Sequence, residues 1–473
     1  MPRSPLPARP RIADHVSPRR HRVQDEDFWV LHDELSGMAY RLGTREWNLI
    51  AHADGTRDLD GIIAAAARDG THARVSALQA FLETLHEANL LSDGVASDPP
   101  RPEPLRPLPL DPLPDFRLAC DGTGGCCRLY GTIMFRPLEQ AVARSLLPSV
   151  LDAGNHPEQA FAPLSGSSPC GGATAAFVEG RCAYLEAAGQ CGLHAAGGSR
   201  GKPLGCRTFP ALFVDDGVAV RVTPAVECAC VLASLRKPHE GEPLVAPGVM
   251  TTGDLDEGIH VERLPDMILI TAKRYGPRSD LVAWSRVVAS APPPVDAVSV
   301  FTALAAEIEA WGLDTEAAAR AFSSPRSPDP DALRPSLFAL IERAGRRMNI
   351  DATWRSESDL ARRAVRWLFD AATLLANDSA ALRAILAAPP SAIDGASEAF
   401  YLRAGAHGHQ FVLCDAPLTH ALRDRAVRLV LARALPLVVR PDEQAAESTL
   451  RYPLALVEAT LRAHGLLSRG GLL

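Results

Sequence analysis

Nine of the chain's ten cysteines lie between Cys120 and Cys230, and a stretch so dense in thiols needs a chemical reason. In order they are Cys120, the doublet Cys126 and Cys127, Cys170, Cys182, Cys191, Cys206 and the close pair Cys228 and Cys230. Disulfides persist in oxidising compartments and serve small secreted domains without a core, whereas this chain has 473 residues, 47% of them apolar. A metal ion or an iron–sulfur cluster is the better match. Spacing narrows the chemistry further. Zinc ribbons build from Cys-x2-Cys knuckles, and the sequence has none. It also lacks the Cys-x2-Cys-x2-Cys of bacterial ferredoxins and the Cys-x3-Cys-x2-Cys loop common in radical enzymes that cleave S-adenosylmethionine. What remains is thiolates drawn from at least three segments, a set that ties loops together and makes the metal part of the fold.

The expected ligands are Cys120, Cys126, Cys127, Cys182, Cys191, Cys206, Cys228 and Cys230, enough for one four-iron cluster with spares or for two clusters. Cys170, in a Ser/Gly/Pro loop, reads as an incidental thiol, and Cys414 as a packing residue. Asp121-Gly122-Thr123-Gly124-Gly125 can bring backbone N–H groups close to an anionic site, and Arg128 and Arg207 can offset thiolate charge around it.

Four blocks carry a resemblance: Cys126-Cys127-Arg128; Gly180-Arg181-Cys182-Ala183-Tyr184-Leu185; Gln190-Cys191-Gly192-Leu193-His194; and Lys202-Pro203-Leu204-Gly205-Cys206-Arg207-Thr208-Phe209-Pro210. With Glu227-Cys228-Ala229-Cys230 they resemble the YkgJ-like cysteine-cluster family of zinc- or iron-chelating proteins and, in order and spacing, the flagellin lysine N-methylases. The likeness covers roughly residues 116–235, and the Lys202–Pro210 block is its most specific part. The five residues between Cys120 and Cys126 exceed the family's usual opening gap. The resemblance implies an iron–sulfur cluster of the 4Fe–4S type, or zinc, and methyl transfer from S-adenosylmethionine to a protein lysine.

Upstream, the first twenty residues carry five prolines and five arginines with no apolar segment, which is not a secretory signal and reads as a disordered arm over 1–22. A compact domain is expected over 23–95. Phe28 and Val30, then Met38, Tyr40 and Leu42, alternate as two strands around a turn at Asp33 to Gly37. A short helix at Thr44 to Ala51 follows. Leu59, Ile62, Ile63 and Ala66 then share a helical face behind Asp58, an N-cap residue, and Val75, Leu78, Leu82 and Leu85 form another stripe. Tyr40-Arg41-Leu42, the Asp54-Gly55-Thr56 turn and the helix ending over Phe81 to Leu91 resemble PqqD-like domains, winged-helix-like modules that bind leader segments of ribosomally made peptides. That likeness implies a peptide added as a strand beside the hairpin, against the third helix.

From Pro99 to Pro114 eight of sixteen residues are proline, so 96–115 is expected to be a semi-rigid extended linker. The cysteine domain, 116–250, reads as irregular: a strand at Ile133 to Phe135, a helix from Leu138 to Leu147, and a hairpin of Ala211 to Val214 with Val218 to Val222 turning at Asp215-Asp216-Gly217. That hairpin would hold Cys206 and Cys228 near a common site. Gly197-Gly198-Ser199-Arg200-Gly201 reads as a loop rather than a nucleotide motif. Residues 251–473 are strongly helical, with apolar periodicity over Val295–Trp311, Ala332–Met348, Asp359–Ala376, Leu418–Val438 and Glu443–His464. Arg362, Arg363 and Arg366 read as a solvated face. Tyr401-Leu402-Arg403 with His407 and His409 suggests a polar site near Phe411, although histidines in a Gly-rich loop are more often at the surface.

The sequence thus describes an α+β, mostly helical protein. It has a small winged-helix-like N-terminal domain, an irregular cysteine-rich metal domain and an α-helical C-terminal domain. A formal charge of −7 gives no pull toward nucleic acid, no apolar run is long enough to span a membrane, and reduced thiols fit a cytoplasmic location. The expected partner is a peptide or protein substrate, such as a ribosomally made precursor. The rival reading is a non-catalytic metal-binding or leader-presenting partner protein in peptide maturation.

Overall fold

Many of the helices begin where a side chain can receive their first N–H groups. The Asp58 carboxylate accepts from Gly61 at the head of Leu59–Arg68, Asp296 accepts from Val298 and Ser299 ahead of Ala297–Trp311, and Asp314 accepts from Ala317 ahead of Thr315–Ser323. Asp378 and Ser391 cap Ser379–Ala387 and Ala392–His407 in the same way. The computed structural model describes residues 5–23, 26–33, 38–95, 107–120, 124–129, 133–148, 160–163, 172–186, 189–353, 359–413, 416–463 and 466. The fold is α+β with helix dominant, and the chain divides into two compact units. The first comprises Met1–Glu103, Cys127–Arg207 and Ile350–Asp359; the second comprises Pro104–Cys126, Thr208–Asn349 and Leu360–Leu473. These borders cut across the expected three-domain division, because the cysteine stretch contributes to both units.

The first unit is built on a five-stranded sheet in the order Arg181–Cys182, Phe177–Val178, Val16–Val23, Glu26–Asp33, Ala39–Gly43. The expected hairpin is present as its last two strands, but the expected arm is not. Residues 10–12 pair with Leu91–Asp93, and Val16–Val23 runs antiparallel to Glu26–Asp33 along its whole length. The arginines that suggested a solvated arm are paired across that hairpin: Arg20 reaches Asp27 at 2.6 Å and Arg22 at 2.9 Å. Burial alone would raise the Asp27 pKa, but the two guanidiniums hold it below the ordinary range. Helices Thr44–Ile50, Leu59–Arg68 and Val75–Glu87 follow as the sequence indicates. Trp29 stacks on Trp47 at 3.9 Å, and both join a core with Ile12, Leu31, Ile50, Ile62, Leu78, Leu82 and Leu90. The expected turn at 34–37 lies outside the described residues.

In the second unit the hairpin Ala211–Asp215 with Val220–Pro224 is central to a four-stranded sheet. Glu262–Arg263 flanks one side and Leu110–Pro112 the other, both parallel. Part of the expected linker is therefore a strand. Pro112 fits there because an edge strand can leave one N–H out of the ladder.

The helices at Ala297–Trp311, Pro330–Thr353, Asp359–Asn377 and Leu418–Val438 match the periodic segments. The segment expected as one helix over Glu443–His464 is broken into Pro441–Ala446, a 3-10 turn at Ser448–Arg451 and Pro453–Ala463. Pro453 lacks the N–H that a continuous helix would need there. Two further expectations change. Gly192–Gly201 is helical with a kink at Gly198, not a loop, and of the expected solvated face Arg366 is exposed, but Arg363 and Arg366 also reach the buried Glu447 and Glu443.

Leu418–Val438 packs on Ala297–Trp311 and Pro453–Ala463, and a buried ionic network joins its residues to Tyr401 and Glu458. Arg428 donates to Asp424 at 2.9 Å and to Glu458 at 2.9 Å, and Arg425 donates to the Tyr401 hydroxyl at 2.6 Å. The Tyr401 hydroxyl donates in turn to Glu458. Burial would raise the Glu458 pKa, but Arg428 and Arg425 pull it below the ordinary range. Removing one charge from such a network strands the others in low dielectric. Arg428→Ala should lower the unfolding free energy by about 3–5 kcal/mol. The exposed Arg346→Ala, which loses only a surface pair with Glu342, should stay within about 0.5 kcal/mol. Urea denaturation of both variants checks this, and equal effects would remove the network as a source of stability.

Candidate functional site

Four of the expected ligands lie in the first unit, each on a different element. Cys127 is on the short helix Gly125–Leu129, Cys182 on the strand Arg181–Cys182, Cys191 at the N-cap of Gly192–Gly201, and Cys206 on Leu204–Thr208. All four pack against one apolar cluster that includes Phe135, Phe161, Tyr184 and Leu193, with Cys182 inside it. Phe135 meets Phe161 edge-on at 5.0 Å, and Tyr184 lies 5.8 Å and 5.9 Å from the two. Burial pushes the Tyr184 phenol well above its usual pKa.

Backbone bonds set the spacing of these elements. Leu185 donates to the Cys182 carbonyl at 2.9 Å and Gly192 to the Tyr184 carbonyl at 2.8 Å, so Cys182 and Cys191 are fixed to one turn system. Glu139, which caps its own helix, also accepts from the Leu204 N–H at 2.8 Å and so anchors the helix bearing Cys206. Gly201 is required by space, since a Cβ there would lie 2.4 Å from the Leu193 carbonyl.

The other four described cysteines belong to the second unit. Cys228 caps the short helix Ala229–Ser234, and Cys230 is in its first turn. The Ser234 hydroxyl donates to the Cys230 carbonyl at 2.7 Å and accepts from the Ala119 N–H at 2.9 Å. Leu118 exchanges bonds with Glu242, so the segment ending in Cys120 is held beside that helix. Cys126 precedes Cys127 on one helix, where neighbours point about 100° apart, and the border between the units falls between them. Cys206 and Cys228, expected at a common site, are assigned to different units. Among the described residues no three Cys, His, Asp or Glu side chains converge with metal-ligating geometry. Placement and donor chemistry are in hand, then, without a coordination polyhedron. Cys170, Cys414 and Asp121–Thr123 lie outside the described residues, and Gly124 has φ +66°.

The histidine pair proves more ordered than a surface loop. His407 ends the helix Ala392–His407, and His409 follows in a left-handed conformation with φ +51°, almost wholly buried. His409 Nδ1 is 3.2 Å from the Ser285 hydroxyl and Nε2 is 3.4 Å from Asp216. Asp216 also accepts from Ala219 and Val218 N–H groups at 2.8 Å and 2.9 Å and from Arg221 at 2.7 Å. His407 Nε2 donates to the Asp111 carbonyl at 3.1 Å, and burial keeps its pKa below the usual value. Gly408 must be glycine, because a Cβ would lie 2.1 Å from Thr223 Oγ1. Of these groups the sequence marked the histidines and Arg403. Ser285 carried no signal, and Asp216 was visible only as part of a hairpin turn.

No family model, no curated protein and no solved structure matches this chain.

Asp216 yields a pH dependence. Burial would raise its pKa, but His409, the two N–H groups and Arg221 hold it well below the ordinary aspartate range. Its contribution is therefore complete above about pH 4 and is lost as pH falls further. Asp216→Asn should cost about 2–3 kcal/mol at pH 7 and should flatten the loss of stability below pH 4 seen in the parent protein. Denaturation curves at pH 7, 4 and 3 check this, and parallel curves for the two proteins would remove Asp216 as the source.

Proposed function

We propose that this chain is a thiolate metalloprotein that acts on a peptide or protein, with its eight described cysteines divided into two groups of four. The first group is Cys127, Cys182, Cys191 and Cys206, and the second is Cys120, Cys126, Cys228 and Cys230. The observation that carries this reading is the gathering of four thiols from four separate elements around a single apolar cluster. Isolated core cysteines need no such convergence. Soft thiolates select iron–sulfur clusters or zinc over hard cations, and an apolar surround shields such a site from water and tunes it. When bound, an iron–sulfur cluster would supply redox or Lewis-acid chemistry, and zinc would supply a structural tie.

A place for a peptide is offered by the strand Ala39–Gly43, which lies at the edge of its sheet. An added strand there would use main-chain bonds for affinity and alternate side-chain contacts for selectivity. On the other side of Glu26–Asp33 the chain's own Val16–Val23 is already paired. Methyl transfer from S-adenosylmethionine to lysine is the reaction that the family likeness suggests for such a peptide.

Anaerobically purified protein with iron, sulfide and zinc quantified on one sample tests the metal reading. Two four-iron clusters would give about eight iron and eight sulfide per chain with broad brown absorption; two zinc sites would give about two zinc and no colour. Cys206→Ala and Cys228→Ala should each remove about half of the metal, and the double variant nearly all of it. If either single substitution emptied the protein, the two groups would be one site, and metal-free protein from every preparation would sink the reading.

A further inference from the structure

Apart from the cysteines, the second unit contains a recess of about 330 Å³ whose charged lining is mostly cationic. It is bounded by Arg221, Arg286, Arg403, His407, His409 and Ser285, with Asp111 as the acidic member of the wall. The arginines differ in what they already hold. Arg221 is held by Asp216 at 2.7 Å and by Asp111, so its charge is balanced within the wall. Arg403 donates to the Pro114 carbonyl at 3.0 Å, a neutral partner that leaves its charge uncompensated. Arg286 is exposed at the recess and its guanidinium has no acidic partner among the described residues. Arg286 and Arg403 therefore line the recess from two different helices, Arg278–Ser290 and Ala392–His407, each without an acid of its own among the described residues.

Among the lining residues Ser285 and His409 are buried and bonded to each other. Ser285 lies one residue before Arg286 on the same helix, and its buried hydroxyl is fixed by His409, which Asp216 holds from the other side. We propose that this recess is a binding site for a small molecule bearing an oxyanion, a carboxylate or phosphate, held between the guanidiniums of Arg286 and Arg403. Guanidinium forks match the paired oxygens of either group. The volume is at the small end of ligand-binding pockets, which suits a metabolite-sized molecule rather than a polymer. Ser285 presents its hydroxyl to the bound group while the Asp216–His409 pair fixes where that hydroxyl sits. None of the residues lining it is a cysteine.

Isothermal titration calorimetry of the full chain tests the assignment, with inorganic phosphate and succinate as separate probes and chloride as the ionic-strength control. The expected result is saturable one-to-one binding of one of the two, weakened roughly tenfold or more by Arg286→Ala and by Arg403→Ala singly, and unaffected by equivalent chloride. Arg286 is exposed, so its replacement leaves the fold intact and keeps the test decisive if Arg403→Ala proves unstable. Tighter phosphate assigns the ligand to phosphate esters, and tighter succinate to carboxylates. Absence of saturable binding of both probes, or binding that Arg286→Ala leaves unchanged, overturns the proposal.

Discussion

The arrangement on which both units depend is the arginine guanidinium set against a buried carboxylate. Of 49 basic residues only Lys202, Lys237 and Lys273 are lysine. The preference has a physical basis, since a guanidinium is weakly hydrated, always charged and able to bond two oxygens in one plane. In the first unit Arg20 and Arg22 converge on Asp27 and join the two longest strands. In the second, Arg221 meets Asp216, Arg425 and Arg428 meet Glu458 and Asp424, Arg433 meets Glu398 and Asp296, and Arg366 meets Glu443. Each pair has at least one largely buried member, although the Arg366 side chain is itself exposed. Their worth lies in specifying the fold, because a packing that separated them would leave charges buried and alone.

Those pairings also explain what the sequence conveys and what it hides. Apolar periodicity and caps placed the helices at Leu59–Arg68, Val75–Glu87 and Leu418–Val438 within a residue or two, because those signals are local. Val16–Val23 was invisible for the opposite reason. Its Arg19, Arg20 and His21 resemble solvent-seeking residues, and distant partners, Asp27 for Arg20 and Phe28 and Phe177 for His21, accompany their burial. Arg363 and Arg366 also find their acids some 80 residues downstream. Pro112 joined a sheet although the prolines around it announced a linker, because the pairing that receives it comes from Val220–Pro224.

The thiols occupy an intermediate position. Density and spacing singled out these residues, yet their division between two units has no sequence signature, least of all inside the Cys126–Cys127 doublet. A doublet on a helix is nevertheless a natural branching point. Adjacent side chains diverge by about 100°, so two consecutive cysteines are poorly placed to serve one small ion and well placed to serve two separate sets. The local supports agree with that division. Glu139 and the turn through Tyr184 organise Cys206, Cys182 and Cys191, whereas Ser234 organises Cys120 and Cys230.

The recess beside His409 follows from the same electrostatic logic carried to incompleteness. Where an arginine is matched by acids, as Arg221 is by Asp216 and Asp111, the pair is a structural tie and the charge is spent internally. Where an arginine has no acid of its own, its uncompensated charge attracts an anion from solution. Arg286 and Arg403 meet that condition beside Ser285 and His409, which are bonded to each other. His409 is held in a left-handed turn by packing that demands glycine at 408, and that strain is tolerated because Asp216 and Ser285 bond both ring nitrogens. A histidine kept in that conformation solely to fill space would not need a carboxylate with four donors behind it. The rigidity lies instead at a wall of the second unit that carries Arg286 and Arg403.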